Sequence, residues 1–565
     1  MAEGARLCRR IALRSSLAAD SALTVSANPN LILNNYAIEQ FTDTEEDILR
    51  RYFTNLDQPV FALVNLPEVV KGALFARYSR THKSLRRLFL DEFVEDLDVS
   101  GDHSIDATVG LAKAEELYQR VFVEYGDDSV AQLGGVHLAC EQASNLLTKV
   151  LEWGRLMSYL EQSTRYLSYD TRIDGRYRYH RDPDVLASPL GTRYVGEMDR
   201  IFDTYAELVP LLQEFYKSQH AQGSDIGDLA YRQTIRAKAF DAVRGLLPAA
   251  SLSNVGIYGT GQAYEALLLR MRAHSLPEAR SYADLMLTEL RKVIPSFLRR
   301  VDVEDRGIAW SNYLEANQTA MKAFSKSLLA DAAPRQVEEV ELIDWDPDGE
   351  RKMLAAMLYP YSHLPETQLV DVVDRLSNDE RTDLIRRYVG DRANRRHRPG
   401  RALERLDYRF DILGDYGGFR DLQRHRLLTI EWQSLTPEHG YEVPEAVSSA
   451  GLGDRYDGVM ERSSALYQLL LQDFPEQASY AVAMAFRVRY VMQFNAREAL
   501  HMIELRSQPQ GHPNYRRIAQ AMYQQIAAKA GHLAVAEMFS YIDLTAGEDG
   551  RLQAERALDA RRSTR

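Results

Sequence analysis

The chain has 565 residues, 45% of them apolar, which is enough to bury two to four cores. Its formal charge of −12 excludes a general binder of nucleic-acid polymers or membrane surfaces, since either would present a basic face. With only Cys8 and Cys140 it has no disulfide framework or cysteine-built zinc site, a usage that fits a reducing, cytoplasmic setting, and no apolar run reaches the roughly 20 residues that span a bilayer.

In chain order, the first 25 residues are rich in Arg, Ser and Ala and poor in acid, a composition shared by transit peptides and unstructured termini. Residues 1–60 read as an N-terminal extension, partly disordered. Apolar residues at spacings of three and four predict helices over 111–125, 194–216, 278–301 and 456–474. Strands are few: apolar and polar residues alternate over 406–414, and 485–494 is rich in β-branched and aromatic residues. The stretch 326–347 carries Pro334 and a cluster of acids without periodicity, so it reads as a join between two halves, 61–325 and 348–565.

Both halves follow one order of events. An apolar helix leads to an arginine followed by hydroxyls, then comes a long amphipathic helix, then a strand-like or glycine-containing turn opening a helix that ends in Leu-Arg. The pairs are "LTKVLEWGRLMS" with "FRDLQRHRLLT", and "YGTGQAYEALLLR" with "FNAREALHMIELR".

The chemistry concentrates in three places. The run "EQSTRY" holds Glu161, Ser163, Thr164, Arg165 and Tyr166 directly after an apolar helical stretch. Arg424, His425 and Arg426 are consecutive; on a helix they would point about 100° apart, so they cannot all cover one solvated face and some should face a pocket. Two guanidiniums and an imidazole suit a phosphate or an anionic ring, although a solvated basic turn is the plainer reading. In "QFNAREALHMIELR", Asn495 suits a helix cap, Arg497 and His501 share a face, and Arg506 falls on roughly the opposite side, which assigns it to a different subsite.

Taken together these runs resemble the flavin-dependent thymidylate synthases, whose motif R-H-R-x-x-S-x-N-x-x-S-x-R-Y precedes a later N-A-R-S-L helix ending in Leu-Arg. The chain resembles two fused copies. The first keeps Arg155, Ser158, Glu161, Ser163, Arg165 and Tyr166 but has Trp153 and Gly154 in place of the first Arg and the His; it retains Arg244 in "RGLLP", the phosphate-contacting arginine of the family. The second keeps Arg424, His425, Arg426, Asn495, Arg497, His501 and Arg506 but loses Ser-x-Arg-Tyr to Leu435, Thr436 and Pro437, and counting back from its Leu-Arg helix puts Tyr480 where the phosphate arginine belongs. His397 stands near the family's Gly-His-x-x-Pro histidine, and Asp127 stands there in the first copy.

The losses are complementary, so one composite site built from both halves can be whole while the reciprocal one is empty of chemistry. The resemblance implies a helix-rich α/β (α+β) fold, two tandem repeats forming a pseudo-dimer, and a homodimer of chains as a pseudo-tetramer. It implies methylation of deoxyuridine monophosphate with FAD as cofactor, NADPH and methylenetetrahydrofolate as co-substrates, and no metal. Glu161, Ser163, Thr164, Arg165, Arg244, Arg424 and Arg506 would bind the nucleotide. His397, Arg424, His425, Arg426, Asn495, Arg497 and His501 would bind flavin, with Arg506 and His397 in catalytic roles. Val150 and Asp421 replace a nucleotide-contacting Gln, and Leu160 a flavin-contacting Asn. Those departures keep two alternatives open: a related modification such as hydroxymethylation, and a nucleotide- or flavin-binding regulator without turnover.

Overall fold

The computed structural model describes residues 36–66, 68–94, 134–222 and 227–545. The transit-peptide question at residues 1–25, the helix expected at 111–125 and Asp127 lie outside them.

The architecture is two four-stranded antiparallel sheets, each wrapped by helices. The first half runs α1 (Asp43–Leu49), β1 (Val60–Leu63), α2 (Glu68–Tyr78), α3 (Leu85–Glu92), β2 (Gly135–Ser144), α4 (Asn145–Leu151), β3 (Met157–Glu161), α5 (Gly191–Gln219), α6 (Asp228–Val243), β4 (Leu252–Thr260), α7 (Gly261–Arg272), α8 (Pro277–Arg291) and α9 (Ala309–Leu328). The second half repeats it with β5 (Val340–Trp345), α10 (Gly349–Leu358), α11 (Glu366–Asp374), α12 (Asn378–Val389), β6 (Asp407–Asp415), α13 (Tyr416–Leu422), β7 (Thr429–Trp432), α14 (Gly453–Leu471), β8 (Arg487–Asn495), α15 (Ala496–Arg506) and α16 (Pro513–Ala528). Strand orders β1-β2-β4-β3 and β5-β6-β8-β7 are the same topology.

A strand that runs into a cap residue and straight into a helix occurs twice in each repeat. Ser144, Thr260, Asp415 and Asn495 are all extended and accept from the backbone N–H three residues on, at 3.0, 3.4, 2.5 and 2.9 Å. Such caps satisfy a helix's unbonded donors and fix where the helix starts.

The repeats meet along 244–251 and 480–486, which pair as antiparallel backbones. Ala249 N–H donates to Val482 O at 2.8 Å and Met484 N–H to Leu247 O at 2.9 Å; Ala250 donates to Tyr480 O at 3.0 Å and Ala485 to Gly245 O at 2.8 Å. Each bond becomes its partner when Ala249 is mapped onto Met484 and Leu247 onto Val482, the signature of a pseudo-twofold axis. One hydrophobic core runs through both repeats, from Val60 to Phe539.

Several expectations need correcting. The join expected over 326–347 is shorter, because α9 continues to Leu328 and β5 pairs with β6, burying Val340 and Leu342. Residues 36–60 are packed: Tyr36 is buried and donates to Glu141 at 2.9 Å. The helix expected over 278–301 stops at Arg291, since Pro295 lacks an N–H and forces Ile294 out of helical geometry (φ −133°, ψ 54°). "EQSTRY" starts on the last residue of strand β3, a helix having ended at Leu151. The sheet register sets Thr260 opposite Gly135 as it sets Asn495 opposite Asp407, so Thr260, one residue after Gly259, is the counterpart of Asn495.

Candidate functional site

Arg424, His425 and Arg426 lie beyond the C-terminus of α13, in the turn leading to β7. A turn lets the three side chains diverge, and all three reach separate partners. Arg424 donates to Glu161 at 2.7 Å. His425 faces Glu498 and Arg506. Arg426 crosses to β3, donating to the carbonyl of Met157 and to Ser158 Oγ.

Glu161, the last residue of β3, is fully buried between the repeats. It accepts from Arg420 at 2.6 Å and from Arg424 at 2.7 Å, both of the second repeat, and Lys149 Nζ is 3.4 Å away. Burial alone would raise its pKa, but the Arg420, Lys149 and Arg424 cations hold it well below the usual carboxylate range.

Beside this group Asp421 gathers arginines from both repeats. Arg244 Nη1 donates to it at 3.3 Å and Arg424 Nη1 is 3.8 Å away. Burial opposes its ionisation, and the guanidiniums of Arg424, Arg244, Arg506 and Arg165 overcome that and keep it charged. Arg165 forks onto Asp241 at 2.7 and 2.8 Å, then reaches the second repeat at Tyr515 Oη (2.8 Å) and the Gln510 carbonyl (2.9 Å). Arg506 lies 5.5 Å over the same Tyr515 ring. Among the described residues two buried donors of this arginine cluster have no partner: Arg420 Nε and Arg244 Nη2, the latter on a residue only 3% exposed. Arg244 and Asp415 line a 30 Å³ pocket that adjoins a 390 Å³ cleft between the repeats, with Asp241, His512 and Arg517 on the walls of both.

His425 Nε2 takes a hydrogen bond from Arg506 Nε–H at 3.0 Å, so its proton sits on Nδ1, which donates to Glu498 at 2.9 Å. His501 Nδ1 approaches the same carboxylate at 3.3 Å. The three groups cluster tightly enough to hold a cation. However, a cation would need the Nδ1 lone pair of His425, and the Arg506 donor assigns that nitrogen a proton.

Burial pushes His425 down to about 4, so the unfolded chain takes up a proton below pH 6.5 that the folded chain refuses until about pH 4. Stability from this site is therefore full above pH 6.5 and lost as pH falls toward 4. His425→Gln should flatten that part of the profile by about 3 kcal/mol between pH 7 and 4, read as the difference between wild-type and variant urea curves.

The remaining predicted residues are dispersed. Ser163 is half-buried and its Oγ accepts from Arg165 N–H at 3.3 Å; Thr164 is buried. Asn495 caps α15, and Arg497 donates to the Pro399 carbonyl at 2.9 Å with Glu404 at 3.3 Å. His397 is exposed and hydrogen-bonded within its own turn, to Ala393 N–H and Asn394. His425 and Arg426 line a 230 Å³ cavity with Trp153, Arg155 and Arg270. Lys149, Arg420, Asp241 and Tyr515 were not anticipated; the spacing of Arg420 four residues before Arg424 is the only sequence hint.

Across the pseudo-twofold the Arg424–Glu161 ion pair is gone. Trp153 stands where Arg424 does and Trp432 where Glu161 does, and instead of an ion pair their rings meet edge-on at 5.6 Å. Trp153 Nε1–H donates to the Ile430 carbonyl at 3.2 Å. The backbone pairing places Ser479 opposite Arg244, one residue from the Tyr480 expected; Tyr480 instead donates to Glu278 at 2.7 Å.

The profile of the family described as thymidylate synthase complementing protein matches residues 74–296 and 341–531. A UPF0159 protein of Chlamydia pneumoniae is 40% identical over 522 residues, 92% of this chain and 98% of that protein. A UPF0159 protein of Thermoplasma acidophilum is 30% identical over 512 residues, 86% of this chain and 97% of that one. A solved flavin-dependent thymidylate synthase from Helicobacter pylori, complexed with FAD and dUMP, is 19% identical and aligns over 36% of this chain and all of its own, with a TM-score of 0.27.

Proposed function

The chain belongs to the thymidylate synthase complementing protein family, as a tandem repeat of it, and from that membership we propose that it methylates deoxyuridine monophosphate at one composite site between its repeats. The observation that carries the reading is the asymmetry about the pseudo-twofold: Arg424 with Glu161 on one side, Trp153 with Trp432 on the other. The first side sets arginines of both repeats around buried carboxylates, as a doubly charged phosphate requires, whereas on the other side Arg270 lies over the Trp153 ring.

Arg165, Arg244 and Arg424 would bind that phosphate, with Asp241 and Asp421 as their counterions when it is absent. Glu161 fixes Arg424; Ser163 and Thr164 position the nucleotide. Arg506, oriented by His425, would stabilise negative charge developing on the pyrimidine, a role suited to a preorganised donor in a buried site. FAD suits the donor set beside it: His425, Arg426, Arg155 and Arg270 supply donors for an anionic cofactor and Trp153 an aromatic face. We assign its binding to His397, Arg424, His425, Arg426, Asn495, Arg497 and His501, and a catalytic role to His397 as well as Arg506. When bound, FAD supplies the redox chemistry, with NADPH and methylenetetrahydrofolate as co-substrates.

Asp421 favours keeping a second reading, a related pyrimidine-nucleotide modification, because it sets a carboxylate among the phosphate arginines. The test supplies purified protein with FAD, NADPH, deoxyuridine monophosphate and folate labelled in its one-carbon unit. Labelled thymidylate supports methylation, a labelled hydroxymethyl product the second reading, and bound but unconverted nucleotide a regulator.

Flavin retention tests the division of labour. Arg497→Ala with His501→Ala should release the flavin, measured by absorbance after gel filtration, whereas Gln262→Ala at the start of α7 should retain it. Equal loss from both would contradict the assignment of most flavin contacts to the second repeat.

A further inference from the structure

Helix α9 lies between the two stretches matched to the family and belongs to neither, so its surface is an addition to the shared fold. Among its 20 residues only Ser311 is buried, donating to the Leu269 carbonyl at 3.2 Å. Yet the helix is not polar on its outer side: Trp310, Tyr313, Met321, Phe324 and Leu328 are 56%, 63%, 59%, 60% and 67% exposed.

The pattern is a seam. Trp310, Leu314, Asn317, Met321, Phe324 and Leu328 follow one another at spacings that alternate four and three, which puts them within an arc of about 80°. The charged residues of the helix, Glu315, Lys322 and Lys326, fall within another arc of about 40° on the far side. Ser311, which marks the direction of the protein body, is about 100° from the seam centre, so the seam runs along the flank of the helix, where Trp310, Met321, Phe324 and Leu328 are exposed. An exposed helix face at this period, free of charge, is the geometry of a coiled-coil contact.

We infer that α9 pairs with α9 of a second copy of this chain, parallel and in register, through the seam from Trp310 to Leu328. Two observations select that occupant. The exposed seam side chains amount to about 650 Å² per chain, so a symmetric pair would bury about 1,300 Å², within the range of stable interfaces, whereas a typical monomer's largest patch is about 300–600 Å². Asn317 is the one polar residue in the seam, and a carboxamide is self-complementary: in a parallel in-register pair its C=O accepts from the N–H of its own copy, while other registers leave it against an apolar side chain. The inference does not depend on the activity of the composite site.

Sedimentation of the full-length chain at a series of concentrations reads the association. The wild type should be a dimer, and Met321→Glu with Phe324→Glu should weaken it about a hundredfold while leaving the monomer folded by circular dichroism, because both side chains are exposed in the single chain. Asn317→Cys should form an intermolecular disulfide on mild oxidation; Thr319→Cys, on the opposite side of the helix, should not. A chain that is monomeric at every concentration overturns the inference. So does a dimer that survives the double substitution or that cross-links equally through Thr319→Cys, since its contact would lie elsewhere.

Discussion

Glu161→Ala is expected to destabilise the chain by about 3–5 kcal/mol, because it removes the anion shared by three cations and leaves buried Arg420 without a carboxylate. Arg420 and Lys149 are buried, and each relies on this carboxylate, Arg420 at 2.6 Å and Lys149 at 3.4 Å. Lys149 keeps Glu152 at 2.6 Å, but among the described residues Arg420 has no second carboxylate in contact, only Met484 Sδ. The loss is a shift of the denaturation midpoint, and because the cations span both repeats it should loosen the repeat interface first. Glu161→Gln keeps the shape and two acceptor lone pairs, so it should recover part of the packing and none of the charge. A midpoint unchanged by Glu161→Ala would show that water or rearrangement satisfies Arg420, and that the ion cluster is not what joins the repeats here.

Nucleotide affinity should move in opposite directions at two neighbouring positions. Arg244→Ala removes a buried, unpartnered donor beside the cleft and should weaken binding of deoxyuridine monophosphate by about ten- to a hundredfold, the value of one charge-assisted contact of about 1.5–3 kcal/mol. Asp421→Asn removes the carboxylate that holds Arg244 and lies near Arg424, and should tighten the same ligand by about tenfold by ending competition for those guanidiniums. Deoxyuridine without its phosphate should show neither effect. A double-mutant cycle on Arg165→Ala and Arg424→Ala should be non-additive if the two share the phosphate. If Asp421→Asn weakens nucleotide binding, the carboxylate is a ligand contact and the substrate is not an ordinary nucleoside monophosphate.

How far the sequence revealed this arrangement depends on which residues carried it. Strands β6 and β8 were legible because Tyr408, Phe410 and Ile412, and Val488, Tyr490 and Met492, alternate with polar neighbours and point to one buried face. Strand β4 was not, because Gly256 and Gly259 give it no side-chain pattern. Phe75 and Met157 close over them, and a Cβ there would meet those side chains at 2.3 and 2.5 Å, so the glycines are required by partners about a hundred or more residues away in the chain. The composite site was half legible. Arg165, Arg244, Arg424 and Arg506 stand out by their motifs, and the structure gathers them around Asp421. Asp241, Lys149 and Tyr515 lack motifs and matter only through long-range contacts. Trp153 was legible as a loss; that Trp432 packs against it was not, because the pairing depends on the pseudo-twofold axis.

The number of nucleotides bound per chain tests the central claim most directly. Calorimetric titration of the FAD-loaded protein with deoxyuridine monophosphate should give one site per 565-residue chain, abolished by Arg165→Ala combined with Arg244→Ala and unaffected by Trp432→Phe across the axis. Two equivalent sites per chain would contradict the account, since the ligand would then have to bind equally well where Trp153 and Trp432 replace Arg424 and Glu161.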